Sequence, residues 1–392
     1  MTQLIRAIVL SVGLAAVVVP AASAQGRYTM TRSGDVVELQ DTQAKIKVSV
    51  LTDGIFSAYE MLVNGEHVFR RNFASADEVR KAPGLRGVPL LWPYANRLDE
   101  QAFYANGQKY TFDAGIGNTG RAGGIPIHGF VQNSREWVIV EARADATGAW
   151  VTARLDFYKN PRYMTQFPFA NTLTLTFRVA DGMLETRTRI DNLSNEAMPV
   201  AAGFHPYFQL TDSPPTEWSF SIGARTHWPL NEQTIPTGET QSITAKFSDP
   251  ANVPVVGPRI DDIFSDLVRD AQGRSVTSLR GRKQRLDIVL GPNYKTVLVL
   301  STAVGGGGGR GRGAGPAPAG PAGAPAAPAP AAPAVPEAPP GSSNTNWNVA
   351  IEPMAGISNS MNLAQKGLYK ELQTIAPGGF WQESFWVRPS GF

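Results

Sequence analysis

Four histidines, His67, His128, His205 and His227, and no cysteine bound the chemistry open to this chain of 392 residues. Without a thiol there is no thiolate nucleophile and no disulfide framework. The sequence holds no G-x-S-x-G, no H-E-x-x-H and no histidine pair at metal-ligand spacing, so serine and zinc hydrolysis lack a signal. What remains is acid–base chemistry, with a histidine as proton donor and a carboxylate as acceptor. An imidazole of ordinary pKa ~6.5 suits a donor near neutral pH. A glutamate at ~4.3 is ionised there but weakly basic unless its site raises it.

The histidines differ in setting. His67 (G-E-H-V) and His227 (R-T-H-W-P) have no neighbours that set them apart from structural or exposed histidines. His128 sits in I-P-I-H-G-F, a turn bounded by proline and glycine. His205 sits in G-F-H-P-Y-F after a small apolar run, and Pro206 biases it to extended backbone, so it is placed at a strand end facing a cleft. The stretch alone allows either a core histidine satisfied by the backbone or a proton carrier in a pocket.

The elements that must position these residues are strands. In N-T-L-T-L-T-F-R-V (171–179) Leu173, Leu175, Phe177 and Val179 alternate with Thr172, Thr174, Thr176 and Arg178, the period of a half-buried strand. Similar runs occur at 137–143, 150–158, 183–190, 296–302 and 346–353, separated by turn residues such as Asn160-Pro161 and Asp181-Gly182. No window has a helical period of 12 or more residues. The expected fold is all-β, a large twisted antiparallel β-sandwich. Between Gly305 and Pro340, 32 of 36 residues are Gly, Ala or Pro, too little to bury. The segment 305–343 therefore reads as a disordered loop inserted between neighbouring strands of one domain, 25–392.

The first 24 residues read as a cleaved export signal, with Arg6, an apolar stretch Ala7–Val19 and the small residues Ala22-Ser23-Ala24. The mature protein is then expected to be periplasmic or secreted, with no membrane span. The formal charge of +3, falling to +2 without Arg6, gives little support to nucleic-acid binding.

The chain resembles the aldose 1-epimerase (galactose mutarotase-like) family. The motifs, in the family's order, are W-P-Y-A-N-R-L-D-E-Q-A-F (92–103) with G-Q-K-Y (107–110), I-H-G-F (127–130), G-F-H-P-Y-F (203–208), I-P-T-G (235–238), D-D-I-F (261–264) and I-E-P-M (351–354). The resemblance implies a sandwich with a sugar in an open groove on one sheet, and needs no metal, nucleotide or other cofactor. By motif match, Glu352 is the base that takes the proton from the sugar's O1 and His205 the acid that protonates the ring oxygen O5. Arg97, His128 and Asp261 match the sugar-holding residues, and Asn96 supports the site or shapes a turn.

A hemiacetal opens when one group takes the O1 proton while another gives a proton to O5, so base and acid are expected to face each other across the sugar. By itself, Glu352 before Pro353 reads as a solvated glutamate. Asp261 and Asp262 alternate across a strand, so one of them faces the sugar, and Asp261 leads the motif. Trp92 and Phe264 could stack on a sugar, although aromatics are more often core. Two departures stand out: Gln132 occupies the place where a hexose-6-phosphate branch carries an arginine, with Arg135 nearby, and the insert enters just before Glu352. The alternatives are a non-catalytic carbohydrate-binding protein of the same fold, a hexose-6-phosphate 1-epimerase-like enzyme, or a lyase or hydrolase of similar architecture.

Overall fold

Strand Asn171–Ala180 shows how the fold is built: Leu173, Leu175, Phe177 and Val179 are wholly buried, while Thr174, Thr176 and Arg178 on the other face are only partly covered. Its alternation forces one face into a core, and its neighbours Gly148–Leu155 and Met183–Asn192 pair with it antiparallel along their length. The computed structural model describes residues 26–117, 121–122, 124–304 and 346–392. The leader read at 1–24 and the insert read at 305–343 lie outside the described residues.

The strands form a nine-stranded sheet, a seven-stranded sheet and a five-stranded sheet over residues 28–67, with three small two-stranded pairings. The four α-helices among the described residues have at most six residues each, as the lack of helical periodicity predicts. None is long and apolar enough to cross a membrane. The run 150–158 is shorter as a strand than its composition suggests: the strand ends at Leu155, and Phe157–Lys159 forms a 3-10 turn. Asn160-Pro161 then opens a helix, because the Asn160 side chain accepts the N–H groups of Arg162 and Tyr163.

The seven-stranded sheet matters most for function. In chain order its strands are β1 (Leu90–Leu91), β2 (Gly203–Phe204), β3 (Ala224–Trp228), β4 (Gln241–Ser242), β5 (Ile260–Leu267), β6 (Thr296–Ala303) and β7 (Trp347–Met354). They lie side by side as β4-β3-β5-β6-β7-β2-β1. Strands β6 and β7, which flank the 305–343 segment, pair directly from Thr296↔Met354 to Ala303↔Trp347.

This sheet is apolar on both faces. Ile260, Phe264, Val297, Val299, Val349, Ile351 and Phe204 join the main core with the inner face of the nine-stranded sheet, and Phe204 meets Phe385 there at 5.0 Å. Ile263, Leu298, Leu300, Ala350 and Met354 point the other way and form a second cluster with Leu91, Ala95, Trp228, Leu363 and Tyr369. The core predicts a contrast on strand Asn171–Ala180. Phe177→Ala is expected to lower unfolding free energy by about 3–5 kcal/mol and Thr174→Ala by less than ~1 kcal/mol, measured by urea titration.

Candidate active site

The register of β2 and β7 creates the central pair. Gly203 lies opposite Met354 and Tyr207 opposite Ala350, so His205 stands directly across from Glu352, on the outer face. His205 Nε2 is 3.1 Å from Glu352 Oε1, and the two residues are only 4% and 1% exposed. Acid and base are thus cross-strand neighbours in direct contact, whereas the chemistry of ring opening suggested groups facing each other across a sugar. The reason is geometric: opposed residues on adjacent antiparallel strands share one face at hydrogen-bond range. His205 Nδ1 and Glu352 Oε2 have no partner among the described residues.

Burial acts on both groups in the direction of the uncharged form. It lowers the His205 pKa to about 4, helped by the Arg97 charge, and raises Glu352 well above its usual value, helped by Asp261. The two therefore behave as a unit that holds one proton over a wide pH range. A neutral pair and an ion pair contain the same number of protons and differ only in which side of the 3.1 Å contact carries it.

The same register settles which aspartate shares the face. Asp261 pairs with Leu300, Leu300 with Ala350, and Ala350 with Tyr207, which puts all four on the outer face. Its carboxylate lies 4.0 Å from the Arg97 guanidinium and accepts from Arg259 at 2.6 Å. Burial nonetheless raises its pKa against the pull of both arginines. Asp262 turns to the other face, where His227 Nε2 (2.8 Å) and Lys246 (3.1 Å) hold its carboxylate and keep its pKa low. Gln241 contacts the other nitrogen of His227 at 2.9 Å, so His227 has a structural partnership on that face.

Asn96, Arg97 and His128 arrive on two loops laid over the end of the sheet. The approach requires a glycine below: a Cβ on Gly203 would lie 2.7 Å from the Ala95 Cβ and 3.1 Å from Met354. Asn96 (φ 57°) and His128 (φ 63°) both adopt left-handed backbone, a strained state for residues with side chains. They hold each other there, the His128 N–H donating to the Asn96 carbonyl at 2.9 Å and the Asn96 N–H to His128 Nδ1 at 3.2 Å. With Nδ1 accepting, the remaining proton of a neutral His128 resides on Nε2, free to donate. Burial keeps its pKa well below the usual value, and the His205 and Arg97 charges act the same way. The Asn96 amide oxygen accepts from Arg97 at 2.9 Å, so Asn96 both shapes the turn and orients the guanidinium.

All six residues named from the sequence, Asn96, Arg97, His128, His205, Asp261 and Glu352, are therefore gathered on one face, every one of them buried. The His128 and His205 rings meet edge-on at 5.2 Å. Tyr207 was given no role from sequence, yet its ring stands 4.8 Å from that of His205. Its place two residues on from His205 in an extended stretch was a usable signal, as was Arg259 two before Asp261. Trp92 and Phe264 are wholly buried in the main core. His67 pairs with Arg71 and Glu60. Gln132 and Arg135 line a separate cavity of about 450 Å³ with Asn160, Arg162 and Tyr163, whose walls include neither His205 nor Glu352.

Residues 63–301 match the sequence profile of the family described as aldose 1-epimerase. Among solved structures, the chain is similar to a galactose mutarotase-like protein from Clostridium acetobutylicum (TM-score 0.70, 18% identity, covering 91% of this chain and 95% of that one). It is also similar to a GalM/aldose epimerase homologue from C. elegans (TM-score 0.63, 16% identity, covering 89% and 97%). At such identities the two structures speak for the fold.

The loop bearing His128 depends on Gly129, where φ is +59° and a Cβ would fall 2.1 Å from the Trp92 carbonyl oxygen. Gly129→Ala is expected to cost about 2–5 kcal/mol, the left-handed penalty plus overpacking. Gly107→Ala, also at positive φ but with open space around it, is expected to cost only ~1–2 kcal/mol. Urea unfolding of the two variants measures the difference.

Proposed function

The chain belongs to the aldose 1-epimerase family, and from that premise we propose that it is an exported enzyme interconverting the α and β anomers of a free aldohexose. The observation that carries this reading is the buried contact between His205 and Glu352. A protein that only held sugar has no need of a buried proton donor and acceptor sharing one proton in direct contact.

In this reading O1 of the sugar approaches Glu352 Oε2, the oxygen without a partner, and O5 approaches His205. Both sugar oxygens are bonded to C1, so adjacent acid and base reach them from one side. Glu352 takes the O1 proton as the C1–O5 bond breaks, C1=O1 forms, and O5 takes a proton from His205. The ion pair becomes a neutral pair, which is the state burial favours. Rotation about C1–C2 and closure on the other face of the aldehyde reverses both transfers, and the pair ends as it began. Arg97 and the neutral His128 donate to sugar hydroxyls and Asp261 accepts from one, while Asn96 keeps Arg97 aimed. Export rests on the leader read at 1–24, which also argues against a phosphosugar substrate, and Arg135 lines a cavity whose walls include neither His205 nor Glu352.

Polarimetry of freshly dissolved glucose and galactose tests the proposal. Wild type is expected to exceed the spontaneous rate, and Glu352→Gln and His205→Asn each to lose about 10²–10⁴-fold. No acceleration of any aldose by wild type sinks the enzymatic reading in favour of a sugar-binding protein. Mutants as fast as wild type sink the residue assignment.

The pH profile is a second test. Below about pH 4 the pair gains a second proton and loses its base, and far above the usual carboxylate range it loses its only proton and its acid. A broad plateau in kcat/KM through neutral pH is expected. A rate falling through the ordinary imidazole pKa of ~6.5 contradicts the shared-proton account.

A further inference from the structure

The row Asp261–Leu300–Ala350–Tyr207 does not end at Tyr207. The Arg70 N–H donates to the Tyr207 carbonyl at 2.9 Å, which places Arg70 beside it on the next segment. Phe69 and Phe208 pack together at 6.0 Å in the main core, so alternation turns Arg70 and Tyr207 to the outer face, the face of His205 and Glu352. Both residues are half-buried. Neither the Arg70 guanidinium nor the Tyr207 hydroxyl has a hydrogen bond or ion pair among the described residues. The adjacent Arg71 differs, with His67 at 3.0 Å and Glu60 at 3.9 Å. Burial disfavours the Arg70 charge and the Tyr207 phenolate alike, so the pair stands as a lone guanidinium next to a neutral O–H donor.

The direction of the sugar connects these donors to the chemistry. With O5 at His205, C5 and its substituent C6 lie on the side of His205 away from Glu352, which is the side of Arg70. We infer that Arg70 and Tyr207 form a carboxylate subsite at C6, and that the preferred substrates are aldohexuronic acids. One planar guanidinium matches one carboxylate through two parallel N–H···O bonds. A phosphate dianion calls for a second cation, and Arg71 is already committed to Glu60. The inference rests on the epimerase reading above, which sets where O5 lies.

Anomer exchange of D-glucuronate, D-glucose and D-glucose 6-phosphate, with calorimetric titration of glucuronate binding, tests it on wild type, Arg70→Ala and Arg70→Lys. Wild type is expected to favour glucuronate over glucose in kcat/KM by about tenfold or more, the worth of one charge-assisted bond. Arg70→Ala brings that ratio to near unity, and Arg70→Lys keeps part of it, with charge but no fork. Equal use of glucose and glucuronate by wild type overturns the inference, as does an Arg70→Ala variant that slows both sugars alike. A preference for glucose 6-phosphate overturns the carboxylate assignment. If no sugar is turned over yet glucuronate binding weakens in Arg70→Ala, the epimerase reading falls and the subsite stands. If glucuronate does not bind at all, the subsite falls.

Discussion

Everything at the candidate site depends on one contact, a histidine and a glutamate placed opposite each other on adjacent strands and closed off from water. Burial of a lone carboxylate or imidazolium is costly, and a neighbour with which a proton can be shared relieves that cost without requiring either charge. The 3.1 Å separation of His205 and Glu352 provides this relief. It also ties the ionisation of the two together, so a change of protonation on one is felt by the other. The surrounding structure keeps the contact dry and in register.

The seven-stranded sheet meets that demand by being apolar on both faces. One face seals against the nine-stranded sheet, which fixes the strands rigidly, and the other carries the polar residues on a floor of Leu298, Leu300, Ala350 and Met354. Two adjacent aspartates show how sharply the faces are separated. Asp261 joins Arg97 and Arg259, while Asp262 is engaged with His227 and Lys246. A slip of one residue would exchange them and take the carboxylate beside Arg97 off the face of His205 and Glu352.

The loops over the sheet answer a different constraint. Asn96 and His128 occupy strained backbone that regular strands do not offer, and their mutual hydrogen bonds stabilise it. Glycines appear where another chain segment must come close: Gly203 beneath Ala95 and Gly129 against Trp92. The glycine that opens G-F-H-P-Y-F is thus a spacing requirement, while the histidine two residues later is positioned by register with the strand of Glu352.

Much of this was legible in the sequence, because alternation is local. The threonines and apolar residues of 171–179 reveal a strand and its buried face without any partner in view, and the absence of long helical periods carries through to the structure. That the six candidate residues belong together was legible only through motif order, since Glu352 by itself resembles any solvated glutamate. What the sequence could not express is register across long separations. That His205 touches Glu352, that Asp261 and not Asp262 shares their face, and that Tyr207 and Arg70 extend it are consequences of pairing between strands distant in the chain. Side-chain type determines which chemistry is possible, but burial and cross-strand distance determine which protons can move, and only the folded sheet sets those.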